Sequence, residues 1–197
     1  MKTDSDKQAN TMVKQILCLG IIMIALWGHT QASYAADVEK VPQHPVIKGY
    51  GKIHPYPSAA MQPSPERHYQ VLFDTTKAAD APGKVNPGLD HVARLLNLYA
   101  LAGVPTDHLK IALVVHGSAT SIVLKNDAYR KLHQQDNPNS EIFHLLKGAG
   151  VKLYICGQAL AEKQIEVASV NPEITLAVSA LAVLIDYQLD GYALIPN

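Results

Sequence analysis

The chain has 197 residues, of which 48% are hydrophobic, 17% charged and 6% aromatic. This is a globular composition, and it excludes a disordered chain, a collagen-like repeat and a disulfide-rich miniprotein. Seventeen Lys and Arg balance seventeen Asp and Glu, so the sequence carries no electrostatic footprint for nucleic acid or for an anionic membrane surface.

Ile16–Trp27 is an apolar run preceded by Lys14, Lys7 and Lys2. It falls short of the roughly 20 residues that a membrane span needs and matches a secretory h-region of about 7–15. Ser33 and Ala35 are the small residues expected just before a cleavage point. Residues 1–35 therefore read as a signal peptide, with Met12 as a cleaner alternative start than Met1, and the mature protein as exported to the periplasm. Once Cys18 leaves with the h-region, Cys156 is alone and no intramolecular disulfide can form. A single thiol in an oxidising compartment is buried, paired between chains, or used.

Residues 36–66 read as an arm. Six of the twelve prolines lie here, at Pro42, Pro45, Pro55, Pro57, Pro63 and Pro65. That density forbids helix and favours an extended path, either mobile or laid across the domain or a neighbouring subunit.

Residues 67–197 then alternate between strand and helix. Tyr69–Phe73 reads as a strand, and Asn86-Pro87 opens a helix whose Leu89, Val92, Ala93, Leu96 and Tyr99 recur at helical spacing. His91, Arg94 and Asn97 mark its polar side, expected to face solvent or another subunit. Ile111–Val115 is a continuous apolar strand of the kind covered on both faces. A helix follows over Asp127–His133, and Asn139 or Ser140 caps another that carries Ile142, Phe143, Leu145 and Leu146. Val151–Ile155 is the third strand, with Gln158–Lys163 helical behind it. Ile174–Val178, a helix capped by Ser179, and Tyr192–Ile195 complete the pattern. Strands alternating with helices through right-handed crossovers imply a three-layer α/β sandwich around a parallel sheet.

Such sheets bind ligands at the carboxyl ends of their strands. Asp74 follows the first strand, His116 the second and Cys156 the third. If these strands are neighbours, their tips lie about 4.8 Å apart and the side chains can converge. In a flavodoxin-like order the first strand intervenes, and His116 and Cys156 are too far apart for a direct hydrogen bond. Cys156 stands at a strand-to-helix junction, where free N–H groups and the helix dipole favour thiolate. The alternative for Cys156 is an inert, buried thiol packed like a small hydrophobe. His116 could tune the thiol or be satisfied by loop carbonyls; Asp74 could orient His116 or bond its own turn. Gly157, Gln158 and Gly117 complete the candidate set as substrate-binding positions. The sequence has no phosphate-binding glycine loop, no C-x-x-C pair and no G-x-S-x-G elbow. The histidines lack ligand spacing, so neither a metal nor another cofactor is expected.

The segments Val151–Glu162, Arg94–Tyr99, Val114–Gly117, Asn126–Tyr129 and Gly191–Pro196, in that spacing, resemble the DsrE/DsrF-like proteins. The resemblance covers roughly residues 67–197. It implies a five-stranded parallel sheet with the first three strands adjacent, and a homo-oligomer, commonly a trimer or a hexamer. It also implies a cysteine that accepts sulfane sulfur as a persulfide from a donor and passes it to an acceptor; here that role falls on Cys156. Export departs from the cytoplasmic sulfur-relay members and excludes tRNA thiolation. Two other readings stand beside sulfur transfer. One is a non-catalytic oligomeric module that binds a small ligand. The other is a thiol peroxidase or redox sensor, disfavoured because the mature chain has no resolving cysteine.

Overall fold

The computed structural model describes residues 43–197; the expected signal peptide and residues 36–42 of the arm lie outside the described residues. Five strands form one sheet: β1 (Tyr69–Thr75), β2 (Leu109–Val115), β3 (Lys152–Cys156), β4 (Thr175–Ala177) and β5 (Ala193–Pro196). Their order is β4-β3-β2-β1-β5, and every neighbouring pair is parallel. The first three strands are therefore adjacent, with β2 in the centre, and the flavodoxin-like order is ruled out. The helices are α1 (Pro87–Leu101), α2 (Asn126–His133), α3 (Ser140–Gly148), α4 (Gly157–Glu162) and α5 (Ala180–Leu189).

Alternation along the strands divides the core in two. Val71, Phe73, Ile111, Leu113, Leu153 and Ile155 point to one face, where Leu89 and Val92 of α1 and Ile142 and Phe143 of α3 cover them. Leu72, Ala112, Val114 and Cys156 point to the other, against Ala159 of α4 and Ala180 and Val183 of α5. Burial on both faces is why Ile111–Val115 is uninterruptedly apolar. At the edges the strands shorten: β4 has three residues, and all four of β5 are exposed.

The sequence periodicity gives no element over Gly117–Val123, where the structure has a 3-10 helix that buries Ala119, Ile122 and Val123. Glycine and small hydroxylated residues give that stretch little α-helical signal, and its burial comes from tertiary contacts. The cap of α3 also differs from expectation. Asn139 occupies the cap position but makes no side-chain cap bond. Its Oδ1 instead accepts the Asn86 amide at 2.7 Å, and its Nδ2 donates to Asn137 Oδ1 at 2.9 Å. Asn137, Asn139 and Asn86 thus form a buried network that ties the start of α3 to the start of α1.

Asn97 corrects a second expectation. His91 and Arg94 are exposed on α1 as the sequence suggests, but Asn97 is fully buried. Its Oδ1 accepts from the amides of Val46 and Ile47, both at 2.9 Å. Its Nδ2 donates to the carbonyls of Tyr50 at 2.9 Å and Gly51 at 3.0 Å. The first stretch of the arm is a tight reversal, closed by the antiparallel bridge between Gln43 and Ile53 and laid along α1. Ile47 reaches the main core at 1% exposure. Gly51 is required at the closest approach: its φ is +61°, and a Cβ there would stand 2.2 Å from the Arg94 nitrogen. Its amide donates to Asp90 Oδ1 at 2.7 Å. Described residues of the arm thus lie across the domain itself.

Asn97→Ala leaves the amides of Val46 and Ile47 and the carbonyl of Gly51 without their side-chain partner, while the Tyr50 carbonyl keeps only the His44 ring, 2.6 Å away. Because a buried unsatisfied group costs about 1–3 kcal/mol, the variant is expected to lose on the order of 2–4 kcal/mol of unfolding free energy in urea. A loss below about 0.5 kcal/mol would show that the arm is held by apolar contact alone.

Candidate functional site

Sheet register sets the site. Val115 pairs with Thr75 on one side and Ile155 on the other. One step further, His116 and Cys156 follow those paired residues on adjacent strands, while Asp74 pairs with Val114. By alternation all three belong to the face that carries Leu72, Val114 and α5. Sequence-predicted Asp74, His116 and Cys156 therefore cluster at the carboxyl end of the three central strands, with His116 in the middle.

The polar contacts join two of them. His116 Nε2 lies 2.7 Å from Asp74 Oδ1, with side chains 28% and 21% exposed. The His116 backbone is fixed by donation of its amide to the Thr75 carbonyl at 3.0 Å. Engaging Nε2 with Asp74 leaves Nδ1 as the other ring nitrogen open to exchange a proton. Cys156 is 6% exposed, and its sulfur accepts the Ala159 amide at 3.4 Å as the N-cap of α4. Among the described residues Cys156 makes no side-chain hydrogen bond to His116, so the thiol and the His–Asp pair are neighbours rather than a bonded triad.

The three expected substrate-binding positions have structural duties as well. A Cβ at Gly157 would come within 3.0 Å of the Ala177 carbonyl, and one at Gly117, where φ is +60°, within 3.1 Å of the Thr76 carbonyl. Both glycines allow a close approach of the chain to itself. Gln158 is exposed, and its Nε2 donates to the Val178 carbonyl at 3.0 Å, tying α4 to the end of β4.

Two further contributors escape a reading of the sequence. Ser118 Oγ donates to Thr76 O and accepts from the Ala78 amide, both at 3.0 Å, which fixes the loop beside His116. Asn197 donates its amide to the Asp74 carbonyl at 2.9 Å, and its side chain reaches Gly88 O at 2.8 Å and His91 Nδ1 at 2.7 Å. The serine could have been suspected from its place after His-Gly; nothing in the sequence marks Asn197. Among the described residues no group of three or more His, Cys, Asp or Glu could hold a metal ion.

A layer of tyrosines underlies the thiol. Tyr154, two residues before Cys156 on the same face, has its hydroxyl 2.9 Å from that of Tyr187, which stacks edge-on against Tyr192 at 4.7 Å between ring centroids. Burial, helped by the Tyr154 hydrogen bond, pushes the Tyr187 hydroxyl far above the ordinary phenol range; burial and then Asp190 raise Tyr192.

The architecture defines a class before it defines a family: a parallel α/β domain with a cysteine at a central strand tip, flanked on the next strand by a histidine. A model of the DsrE/DsrF-like family matches residues 68–196, and the chain belongs to that family, which is linked to sulfur relay. Among solved structures, MTH1491 from Methanobacterium thermoautotrophicum, a protein of unknown function, is similar at 19% identity and a TM-score of 0.50, covering 66% of this chain and 99% of its own. The ychN protein from E. coli is similar at 12% identity and a TM-score of 0.46, with the same coverage. No curated protein matches.

The tyrosine layer predicts an alkaline limit. Folded Tyr187 keeps its proton to higher pH than the unfolded chain does, so its contribution is fully present below the unfolded phenol pKa of about 10 and is lost as pH rises from there towards the folded value. Phenolate absorbance should show Tyr187 ionising with alkaline unfolding, and Tyr154→Phe should move that step to lower pH. An unmoved step would mean the Tyr154 hydroxyl plays no part in it.

Proposed function

We propose that this protein carries sulfane sulfur as a persulfide on Cys156. The observation that carries the reading is the placement of the thiol. In a family linked to sulfur relay, the lone described cysteine caps a helix at a strand tip, next to a His–Asp pair on the same face. The Cys156 thiolate attacks a terminal sulfur of a polysulfide; the S–S bond breaks and a polysulfide shorter by one sulfur leaves as the thiolate. An acceptor thiolate then attacks the outer sulfur of the Cys156 persulfide, forming the new S–S bond and returning Cys156 as thiolate. Sulfur moves without an external oxidant or reductant.

The Ala159 amide gives negative charge on the Cys156 sulfur a donor, and His116, oriented by Asp74, serves the incoming or departing sulfur through Nδ1. Gly157, Gln158 and Gly117 shape the rim where the donor docks. The carrier works in the periplasm after loss of residues 1–35, and the donor and acceptor are proteins or small sulfur species of that compartment.

The same reading includes assembly of identical subunits. Leu181, Ile185 and Leu189 recur every four residues along α5 and are 70%, 55% and 82% exposed; Val178 and Leu176, leading into that helix, are 72% and 47% exposed. A stripe of this kind is too apolar for solvent. A second copy of the chain, in a trimer or hexamer, is its expected cover.

One observation favours a second reading, a binding module with a structural cysteine. The thiol is nearly buried, and its only described hydrogen bond is that of a cap.

Intact-mass measurement after polysulfide treatment separates the two. Sulfur carriage predicts a gain of about 32 Da that reductant reverses and that Cys156→Ser abolishes. His116→Ala should slow loading by about a hundredfold or more without abolishing it, as expected for loss of acid–base help. A native protein that gains no mass, with a thiol that also resists alkylation until unfolded, would leave the binding module as the function. For assembly, Leu181→Asp with Ile185→Asp should reduce the mass measured by light scattering to that of one chain; an unchanged mass would place the contact elsewhere.

A further inference from the structure

A second candidate site lies at the opposite end of the sheet from Cys156. It is built by the arm, outside the matched family region, and by the C-terminal half of α1. A hollow of about 590 Å³ opens between Tyr56 and Met61 of the arm and Leu98 and Leu101 of α1. A second, of about 360 Å³, adjoins it and is lined by Lys52 and Arg94; His54, Tyr56 and Leu98 border both.

Three features separate this slot from an ordinary surface dent. Its first part leaves large apolar side chains uncovered together: Met61 is 89% exposed, Tyr56 57%, Leu101 43% and Leu98 40%. A pocket of this size and lining is within the ordinary range for small-molecule sites. Its walls are held in place. Pro55, Pro57 and Pro63 restrict the arm, and Gln62 Nε2 donates to the carbonyls of Tyr56 at 2.7 Å and Ala59 at 3.1 Å. Asn97 and Gly51 anchor the arm just upstream. Finally, the charge is one-sided. Neither hollow is lined by Asp or Glu. Lys52 makes no ion pair among the described residues, and Arg94 uses one guanidinium nitrogen on Asp90 at 3.3 Å, with donors to spare.

An apolar trough that ends at two cations fits a molecule with the complementary pair of ends. We infer that the slot binds a free, medium-chain fatty carboxylate, with the acyl chain along Leu98, Leu101, Tyr56 and Met61 and the carboxylate at Lys52 and Arg94. The inference is independent of the thiol chemistry.

Decanoate, kept below its micelle concentration, is the probe, with the full folded chain followed by calorimetry and by amide NMR. Saturable binding of one decanoate per chain is expected, with shifts at Leu98, Leu101 and Tyr56. Met61→Asp and Lys52→Glu change exposed side chains, and each should weaken binding by roughly fivefold to tenfold. Decanol should bind less tightly than decanoate, octanoate (two methylenes shorter) should bind about fifteenfold less tightly, and Cys156→Ser should bind decanoate unchanged. The inference is overturned by heat that does not saturate, by equal affinity for decanol, by variants that bind as the parent does, or by binding only to vesicles of anionic phospholipid.

Discussion

Everything in this molecule is hung on β2. Ile111 to Val115 are closed off from water on both faces of the sheet, as befits a central parallel strand flanked by two others and covered by helices above and below. The pairing of β2 with β1 and with β3 is what brings residues far apart in sequence to one edge. His116 owes its position between Asp74 and Cys156 to this register alone. Slipping either neighbour by one residue would turn Asp74 or Cys156 to the opposite face, since side chains alternate with a period of two.

The sheet also separates two kinds of surface. At the carboxyl ends of its strands are the titratable and nucleophilic groups, held by the Thr75 carbonyl, the Ser118 hydroxyl and the Asn197 amide. At the amino ends, α1 and the arm present aromatic and aliphatic side chains with cations at one side. α5 belongs to neither: it covers the thiol-bearing face with Ala180 and Val183, backed by Leu184 and Tyr187, and turns Leu181, Ile185 and Leu189 outward. One helix is thereby both a lid on the core and an unpartnered face.

The elements legible in the sequence were those whose pattern is local. The 3.6-residue recurrence from Leu89 to Tyr99, the unbroken Ile111–Val115 run and the Asn86-Pro87 start of α1 need nothing beyond neighbouring residues. Strand adjacency was not legible from periodicity, because two orders place Asp74, His116 and Cys156 equally well at strand tips; the family resemblance pointed to the order found. The burial of Asn97 is not legible in the sequence, because its four partners are backbone groups some fifty residues upstream and a polar side chain between two leucines looks like a solvated one. The cap position of Asn139 is legible but its bond is not, since the Asn86 amide takes its oxygen. The His116–Asp74 pairing was legible as an option. Its choice over a direct bond to Cys156 depends on side-chain directions that spacing does not encode.

The reversal that Gly51 and Asn97 pin to α1 also bears on where the unit begins. The family region starts at residue 68, yet Ile47 fills a place in the main core that no residue of that region replaces. Residues 43–53 act as a plug moulded in the same piece as the vessel. A protease that trims the chain up to the family boundary would release more than a tail. It would uncork α1, wet the buried amide of Asn97 and expose a socket the size of an isoleucine, a fresh sticky surface on an otherwise finished domain.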